Sequence, residues 1–356
     1  MVNEAAAPIG KVARDTFERV IQPRLGAKRP EVLVGPRTGL DTGIVSIGAR
    51  RVMALTTDPF YVLPAFGWER AAWFAVQIIA SDAATSALPL RYLTIDLNLP
   101  PDLRETDLAA IWQATSETCA ELGIAVVTGH TGSYEGCSFP ILGSATILCV
   151  GSVTEYLTPA MAAPGDAVII TKGAAIETTA TFGVTLPDLL TTELGADTAR
   201  AAANLFDSMT VVPDVRAAIG AGVRRDGVTA LHDATERGIW GGLVEMADAS
   251  NTGLMIDAGA IIVQPAVRAV CERFGIDPYV ASSEGTLLLT CVPGRVLEVL
   301  GRLEDAGIPA TTVGEVVPRE HGLHVVRDGR EEVLTEPEAD PFWTAYTRAV
   351  ERAAGG

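Results

Sequence analysis

The sequence predicts an α/β protein of two domains of similar size, each built around a mixed sheet. Three observations support this prediction. The length of 356 residues exceeds the usual size of a single core. Short runs of β-forming residues alternate with helical periodicity along the chain, and a Pro- and Ala-containing connection at 158–164 separates two such series. We therefore predict domains over residues 1–157 and 158–335, followed by a helical tail over 336–356.

Composition supports a globular protein and excludes one class of partner. The chain is 48% hydrophobic with a mean hydropathy of +0.28, so it can bury a large core. Its net charge of −17 repels phosphate backbones, and no Lys/Arg-rich block offsets it. We expect no nucleic-acid partner. A single nucleotide could still bind if divalent cations bridge its phosphates to carboxylates.

Targeting signals and cysteine spacing indicate a cytoplasmic protein. The segment 1–11 has neither a basic flank nor a long apolar stretch, which predicts no signal peptide. The longest apolar run, 139–153, is shorter than the ~20 residues that span a bilayer, so no membrane association is expected. Five cysteines without a CxxC pair indicate neither a disulfide framework nor a zinc site. We expect most of the thiols to be buried in the core, among Cys119, Cys137, Cys149, Cys271 and Cys291.

The first half reads as a helix, a group of short strands and then a strand–helix–strand–helix series. Residues 91–99 alternate apolar and polar side chains, and Gly123 follows the last position of an amphipathic helix. We expect the segment 124–128 to be a buried strand. We predict helices over 1–25, 68–86 and 107–122, with strands over 32–34, 44–47, 52–55, 91–99, 124–128 and 141–153.

The second half repeats this alternation without a short-period repeat. Apolar runs of four to seven residues predict its strands, and helical periodicity predicts the segments between them. We predict strands over 167–170, 254–256, 286–291 and 311–317, with helices over 191–207, 211–222, 238–249, 265–274 and 295–306. This series predicts a second mixed sheet.

Three aspartates of the first half occur where predicted strands or helices meet turns: Asp41 in GLDTG, Asp58 in LTTDP and Asp82 in ASDAATS. Mg²⁺ prefers carboxylate and phosphate oxygens, so aspartates that converge from such positions could form a polyphosphate site. Turn formation by Asp41 and a plain helical or loop role for Asp82 are the alternatives. Asp58 follows the apolar run 52–55 and precedes Pro59, which predicts a carboxylate fixed at a strand end.

Two histidine motifs could take part in chemistry. His130 in VTGHTGS follows a predicted strand, where α/β proteins place ligand-contacting groups, although a structural histidine is equally consistent. LHDATERG places His232, Asp233, Glu236 and Arg237 before an apolar helix. Capping by Asp233 or Thr235 is one explanation, and an anion site with an oriented His–Asp acid/base pair is the other.

A third motif, TKGAAIETTA, places Lys172, Gly173 and Glu177 just beyond a predicted strand. A lone Lys-Gly pair is most often a plain turn. The motif does not fit the phosphate-binding pattern GxxxxGK[ST], and no GxGxxG follows a strand. Composition and spacing alone therefore predict several candidate anion or metal sites without deciding between them.

The motifs, taken in order, resemble those of the AIR synthase superfamily, and most closely the HypE-type hydrogenase maturation factors. The segments that carry this resemblance lie between about residues 30 and 317, and they are TTDPFYV, ASDAATSALPLRYL, VTGHTGS, TKGAAIETTA, LHDATERG, VQPAVRAVCERFGIDPYVASSEGTLLL and TTVGEVV.

The resemblance implies a ferredoxin-like first domain that pairs with its twin in a homodimer and buries an eight-stranded barrel. ATP would lie near that interface, with Mg²⁺ held by Asp41, Asp58 and Asp82. The implied catalytic residues are His232, Asp233, Glu236 and His130. The implied ATP-binding residues are Asp41, Thr57, Asp58, Asp82, Thr85, Gly129, Thr131, Lys172 and Gly173.

The sequence also departs from this family pattern. HypE-type factors end in a Pro-Arg-Ile-Cys tail whose thiol carries the carboxamide, whereas the last cysteine here is Cys291 in a predicted strand. The departure disfavours thiocyanate chemistry unless another protein supplies the thiol. His130 replaces a carboxylate found in many relatives, and Glu236-Arg237 replaces Arg-Gly.

The resemblance and its departures predict an ATP-dependent enzyme that phosphorylates an amide, carbonyl or related oxygen of a small substrate. One alternative is a nucleotide-binding assembly or maturation factor without turnover, and another is a small-molecule kinase of the thiamine-monophosphate kinase type. The simplest alternative is a dimeric protein whose polar clusters only cap helices. The sequence does not name the substrate.

Overall fold

The computed structural model describes residues 10–355 of the protein. Its N-terminal segment is helical, as the spacing of apolar residues predicts, with a helical turn α1 (Arg14–Thr16) that continues into a π-helical turn at Phe17–Ile21. The part of the predicted first helix over 1–9 lies outside the described residues. No helix within 10–355 is long and apolar enough to cross a membrane.

The first half forms a six-stranded sheet in the order β1-β2-β3-β6-β4-β5. Only β4 and β5 run parallel, which makes the sheet mixed as predicted. Helices α2 and α3 pack on one face. The elements are β1 (Val32–Val34), β2 (Gly43–Gly48), β3 (Arg51–Tyr61), α2 (Trp68–Ala84), β4 (Leu90–Leu99), α3 (Glu105–Leu122), β5 (Ala125–Ser133) and β6 (Ile141–Ser152).

Strand β3 is longer than the sequence predicts, and Asp58 is not at its end. The strand pairs with β6 along almost its whole length and continues past Asp58 to Tyr61. Its pairing with β2 stops at Leu55. From there β3 has a neighbour on one side only, so Pro59 costs no ladder hydrogen bond on the open side. The prediction of a strand end at Asp58, based on this proline, was therefore wrong.

Strand β5 is an exposed edge and not the buried strand that we predicted. It pairs only with β4, and nearly every residue from Ala125 to Ser133 is exposed. The apolar run 124–128 led to the wrong prediction because its exposed members include Val126 and Val127, which are 38% and 54% exposed. These side chains lack cover within the described part of this chain.

The face of the first sheet opposite α2 and α3 is open. The strand registers align one threonine from each of β3, β6, β4 and β5 in a row across this face, namely Thr57, Thr146, Thr94 and Thr128. A neighbouring row is apolar and pairs Leu55 with Leu148 and Leu148 with Tyr92. The face therefore combines half-buried apolar side chains with small hydroxyls.

The second half forms a seven-stranded sheet in the order β13-β12-β9-β11-β7-β10-β8. Its strands are β7 (Ala167–Thr171), β8 (Val228–Ala234), β9 (Gly253–Asp257), β10 (Thr286–Cys291), β11 (Ala310–Val317), β12 (Leu323–Arg327) and β13 (Arg330–Val333). Only β9 and β12 run parallel. The prediction of two mixed sheets is confirmed.

Both faces of the central strands of this second sheet are covered. Ile170 and Leu288 lie in one apolar cluster with Leu243 of the helix that follows β8. Ile169 and Leu289 point the other way, into the large core that is shared with the first half of the chain. Successive side chains of these strands therefore point to opposite faces, and one face packs against the core of the first half.

Helices fill the connections of the second half, and one of our helix predictions was wrong. The predicted helix 191–207 is divided at Gly195, and a helix that we did not predict forms over Ile176–Thr185, after the Lys172-Gly173 pair. The helices are α4 (Ile176–Thr185), α5 (Pro187–Leu194), α6 (Ala196–Asn204), α7 (Val212–Ile219), α8 (Gly238–Ser250), α9 (Pro265–Phe274), α10 (Val296–Asp305) and α11 (Pro341–Gly355).

Sequence analysis did not predict strand β8, which contains the first residues of the LHDATERG motif. His232 and Asp233 lie within this strand, paired with β10, and not at a helix start. The first residue of α8 is preceded by Arg237, and no side chain caps the helix. The predicted capping by Asp233 or Thr235 was therefore wrong, and the polar side chains of the motif are available for another purpose.

Candidate functional site

Acidic side chains from both halves of the chain meet where the two sheets approach each other. Asp41 comes from the loop before β2, Asp58 from β3 and Asp82 from the last turn of α2. Asp233 is added by β8 of the second half. Burial raises the pKa of Asp82 well above its usual range, and the charges of Asp233, Asp58 and Asp41 raise it further. The dispersed aspartates of the sequence thus form one cluster.

One side of this cluster is organised around His232. Its Nδ1 lies 2.7 Å from Oδ1 of Asp41, and its Nε2 lies 3.1 Å from Oε2 of Glu245 on α8. Gly39 makes this approach possible, because its φ is 75° and a Cβ there would lie 2.4 Å from the carbonyl oxygen of Glu245. The loop 39–41 therefore packs directly on α8 and directs Asp41 to the histidine.

His232 is held as a cation by its two carboxylate neighbours. Burial alone would lower its pKa, but the charge and hydrogen bond of Asp41 and the hydrogen bond of Glu245 raise the pKa to about 10. Burial would raise the pKa of Glu245, yet Lys11 and His232 lower it to about 2. Both ring nitrogens donate in this state, so neither is free to accept a proton or to bind a metal ion.

The other side of the cluster has more buried carboxylate oxygens than hydrogen-bond donors. Within residues 10–355, Oδ2 of Asp41, Oδ2 of Asp233 and both carboxylate oxygens of Glu284 have no hydrogen-bond partner. Asp82 receives one hydrogen bond of 3.2 Å from the Thr56 hydroxyl. Burial and neighbouring negative charges raise the pKa of Asp233, and also that of Glu284. Unpartnered buried oxygens of this kind are costly unless a cation or a proton compensates them.

This donor set fits a hard divalent cation. Asp41, His232 and Asp233 each offer an atom within 4.8 Å of the others, but the imidazolium state of His232 leaves the carboxylates as the ligands. Mg²⁺ prefers oxygen ligands and is usually held by one or two carboxylates together with water and phosphate oxygens. The unpartnered oxygens of Asp41 and Asp233, with Asp82 beside them, provide such ligands.

A second pair of carboxyl groups extends the cluster toward the C-terminal segment. The backbone N–H of Glu284 donates to Oε2 of Glu177 at 3.2 Å. Burial, with smaller contributions from Asp340 and Glu236, raises the pKa of Glu177 to about 7. Gly285 fixes this turn, because its φ is 99° and a Cβ would lie 2.2 Å from the carbonyl oxygen of Ser208.

Glu236, which we predicted as catalytic, lies at the edge of the cluster. Its carboxylate accepts a hydrogen bond of 2.8 Å from the backbone N–H of Lys11. The side chain of Lys11 lies 4.0 Å from Glu245 and is 52% exposed. The N-terminal segment therefore contacts the rim of the acidic cluster and contributes its positive charge there.

Several other predicted ligand residues have structural contacts of their own. Lys172 is buried and donates to Asp214 at 2.8 Å and to the carbonyl of Thr210 at 2.7 Å. Gly173 packs against the carbonyl of Ile262, and the Thr85 hydroxyl donates to the carbonyl of Asp82. These contacts leave the ammonium group of Lys172 committed to an internal ion pair.

The predicted residues on β5 lie away from the cluster within one chain. His130 aligns across the sheet with Asp96, Ser144 and Pro59, so it lies three strands from β3, or about 14 Å at the usual strand spacing. It shares the open face with Thr57, and its Nε2 lies 2.6 Å from the Tyr134 hydroxyl. Gly129 and Thr131 lie on the same edge strand.

Sequence analysis missed Lys11 and Glu245, and it did not single out Glu284. A signal existed for both glutamates: Glu245 is an isolated acid in the apolar part of α8, and Glu284 directly precedes a glycine and the buried strand β10. The N-terminal segment gave no comparable signal, because a lysine near a chain end is usually a solvated side chain. Only the tertiary fold brings Lys11 to the site.

The fold and the cluster define a class: a two-domain α/β protein with a buried oxygen-donor site between two mixed sheets. The chain matches the model of the N-terminal domain of AIR synthase related proteins over residues 39–153 and that of their C-terminal domain over 163–327. The two matches together cover well over half of the sequence. The chain belongs to the AIR synthase related family, which confirms the resemblance seen in its motifs.

Individual relatives support this assignment. The chain is 28% identical over 296 residues to the carbamoyl dehydratase HypE of Cupriavidus necator, which covers 82% of this chain and 80% of the relative. The crystal structure of Escherichia coli HypE, a hydrogenase maturation protein, has a TM-score of 0.65 and 27% identity over 82% of this chain and 88% of that one. A HypE structure in complex with ATP has a TM-score of 0.65 at 21% identity, covering 92% of each chain, and supports the fold.

Proposed function

We propose that this protein is an ATP-dependent enzyme that phosphorylates an amide, carbonyl or related oxygen of a small acceptor molecule. The observation that carries the proposal is the set of buried carboxylate oxygens without partners between the two sheets. Such a set is suited to hold the cation that accompanies a polyphosphate. The relatives support the choice of reaction, since several are carbamoyl dehydratases and one was solved with ATP.

In this proposal the residues of the cluster have separate tasks. Asp41, Asp82 and Asp233 hold Mg²⁺, with Asp58 beside them. When bound, Mg²⁺ neutralises charge on the phosphate oxygens. The imidazolium of His232 keeps Asp41 oriented. Glu284 has a raised pKa and two oxygens free of hydrogen bonds, so it is suited to accept or donate a proton at the acceptor.

Calorimetric titration of the protein with ATP, with and without Mg²⁺, tests the binding step. We expect Mg²⁺-dependent binding in the wild type and a loss of roughly 100-fold in affinity in Asp82→Asn, because a charged ligand group disappears. Asp102→Asn is the matched control, since Asp102 is exposed in the loop before α3. Absence of binding at millimolar nucleotide with an intact fold would overturn the proposal.

A turnover assay separates the enzyme from its non-catalytic alternative. A nucleotide-binding assembly factor would bind Mg²⁺-ATP without steady release of phosphate. We expect slow ATP hydrolysis by the wild type, lost in Asp58→Asn and in Asp82→Asn and retained in Asp102→Asn. Incorporation of the γ-phosphate into a stable product would instead identify a small-molecule kinase of the thiamine-monophosphate kinase type.

We also propose that two copies of this chain pair through the open face of the first sheet. This face carries the apolar row Leu55, Leu148 and Tyr92, and Tyr92 is 44% exposed. Apolar side chains in such a continuous row on one sheet favour a second apolar surface. A second copy would also cover Thr57 and His130, which explains how residues remote from the acidic cluster within one chain could approach a site formed by two.

Sedimentation equilibrium tests this pairing. We expect a dimer for the wild type and a monomer for Leu148→Lys, because a buried, unpaired ammonium is costly in an apolar interface. Leu297→Lys is the matched control, since Leu297 is 86% exposed on α10, outside the first sheet. A wild-type monomer at micromolar concentration contradicts the pairing but leaves the nucleotide proposal untouched.

A further inference from the structure

A cavity of about 310 Å³ opens beside Asp41, between the N-terminal helical segment and α8. Asp41 and Glu245 are among the residues that line it, so the cavity adjoins the acidic cluster. Its volume lies at the lower end of the range for small-molecule sites. The position and size suit an acceptor molecule rather than a nucleotide.

The wall formed by the N-terminal segment contains three apolar side chains beside Lys11 and Arg14, and it is incompletely covered. Val12, Phe17 and Ile21 line the cavity together with Leu40. Val12 is 59% exposed and Ile21 is 44% exposed, although both face a concave surface. Apolar side chains in a concave, half-open position are typical of the part of a binding site that contacts the hydrocarbon portion of a ligand.

Three guanidinium groups line the same cavity in a chain whose net charge is −17. Arg14 is paired with Glu18 and Asp248, which leaves Arg37 and Arg237 as candidates for a ligand. Arg37 donates one hydrogen bond of 2.8 Å to the carbonyl of Ala249, which leaves its other donors available. Arg237 is mostly buried, with 18% of its side chain exposed. A planar guanidinium in a partly enclosed site is the side chain best suited to bind a carboxylate or a phosphate.

Arg237 is at present engaged by an acid of the C-terminal segment. Its guanidinium is paired with the carboxylate of Glu336, which also lines the cavity. The neighbouring Asp340 accepts hydrogen bonds from the backbone N–H of Arg237, at 2.9 Å, and from the Ser282 hydroxyl, at 2.7 Å. Asp340 anchors the segment on the backbone, whereas Glu336 contacts only the charged group that faces the cavity.

We propose that this cavity binds the carboxylate or phosphate group of the acceptor through Arg237 and Arg37, and that Glu336 occupies Arg237 until the ligand replaces it. The inference rests on the proposed function and names its acceptor as a small anion with an apolar portion. The acceptor's anionic group pairs with the guanidinium groups, and its apolar portion lies on Phe17, Ile21 and Leu40. Because Asp41 and Glu245 line the same cavity, an acceptor bound there lies next to the cluster.

Binding of simple probes in the absence of nucleotide and metal tests the proposal. The probes are hexanoate and hexyl phosphate, with neutral hexanamide for comparison, followed by NMR titration of the whole protein. We expect at least one anion to bind, with an affinity reduced roughly tenfold in Arg237→Gln through loss of a charge-assisted contact. We expect Glu336→Gln to bind it about three- to fivefold more tightly, because the competing carboxylate is gone.

The increase in Glu336→Gln is the decisive result, since a variant that only damaged the fold would bind more weakly. The double variant Arg237→Gln/Glu336→Gln should lose the increase. Arg51→Gln and Glu332→Gln are the matched controls, because both side chains are exposed outside the cavity. A preference between hexanoate and hexyl phosphate identifies which anion the site takes.

The proposal is overturned if neither anion binds Glu336→Gln, or if hexanamide or Glu332→Gln shows the same increase. These titrations contain no ATP, so their failure is distinguishable from failure of nucleotide binding. A protein that binds Mg²⁺-ATP but neither probe keeps its proposed function and loses this acceptor site.

Discussion

The acidic cluster has two halves that differ in how their negative charge is compensated. In the paired half, Asp41 and Glu245 contact His232 from opposite sides and hold it as a cation. In the unpaired half, Asp233 and Glu284 are buried and Asp82 is half-buried near them, and desolvation raises the pKa values of all three. The same residue types thus form a completed ion-pair network on one side and an incomplete one on the other.

The paired half of the cluster holds the two halves of the chain together, whereas the unpaired half is available to bind a ligand. The paired half joins the loop before β2 to β8 and α8, so its charges connect the two halves of the chain. The unpaired half has carboxylate oxygens that no protein donor satisfies within residues 10–355. Removing a charge should therefore have opposite effects on stability in the two halves, because one charge is compensated and the other is not.

Glu245→Gln should have the largest effect. The change leaves the buried His232 cation with a single carboxylate partner, and breaking a buried ion pair costs about 3 kcal/mol or more. We expect the free energy of unfolding, measured by urea denaturation at pH 7.5, to fall by about that amount. Glu304→Gln, on the exposed side of α10, should change it by less than about 0.5 kcal/mol. Equal stability of Glu245→Gln and wild type would show that the paired half contributes no cohesion.

Much of the fold could be predicted from the sequence, because its central strands and longer helices follow simple periodicity. The helix at Pro265–Phe274 and the strand at Thr286–Cys291 have the bounds that the sequence predicts. Strand β8 escaped prediction because its polar residues His232 and Asp233 are buried by ligand-like contacts that a periodicity analysis does not recognise. Local patterns cannot reveal contacts that only the tertiary fold creates.

The site was predicted where a motif marks its position and missed where distant elements complete it. Four of the predicted aspartates do meet, namely Asp41, Asp58, Asp82 and Asp233. The sequence could not show that they come together from the two halves of the chain. Lys172 looked like a phosphate ligand beside its glycine, yet Asp214, which lies 42 residues away in sequence, holds it in a buried pair. The assignment of roles to these residues stays a prediction that the binding measurements decide.

Glu177→Gln tests whether Glu177 also carries a negative charge that no neighbouring group compensates. The measured quantity is the pH dependence of the free energy of unfolding. The folded pKa of Glu177 is raised to about 7 from its usual 4.5, so the folded state binds the additional proton between these values. Its contribution is therefore favourable at low pH and declines as the pH rises through 7. Relative to wild type, Glu177→Gln should gain roughly 2 to 3 kcal/mol between pH 4.5 and pH 8.

Urea denaturation of both proteins across that pH range measures the difference, with the metal ion removed by chelation. Glu332→Gln, at an exposed position of β13, should follow the wild-type curve. A constant difference between Glu177→Gln and wild type would mean that Glu177 titrates in the folded protein as it does in the unfolded chain.

Addition of Mg²⁺ should produce the smallest change in stability. An increase in the wild type but not in Asp82→Asn would show that the ion binds the unpaired half of the cluster. At a free concentration of about ten times Kd, the ion should stabilise the wild type by about 1.4 kcal/mol, because it binds the folded protein only. Asp82→Asn should be more stable than the wild type without metal, since a carboxyl group whose ionisation is disfavoured in the folded protein is replaced by a neutral amide, and it should gain nothing from Mg²⁺. Asp102→Asn should respond as the wild type does in a thermal denaturation series. A rise of equal size in Asp82→Asn would assign the effect to general screening of the chain's net charge of −17 and not to the unpaired half of the cluster.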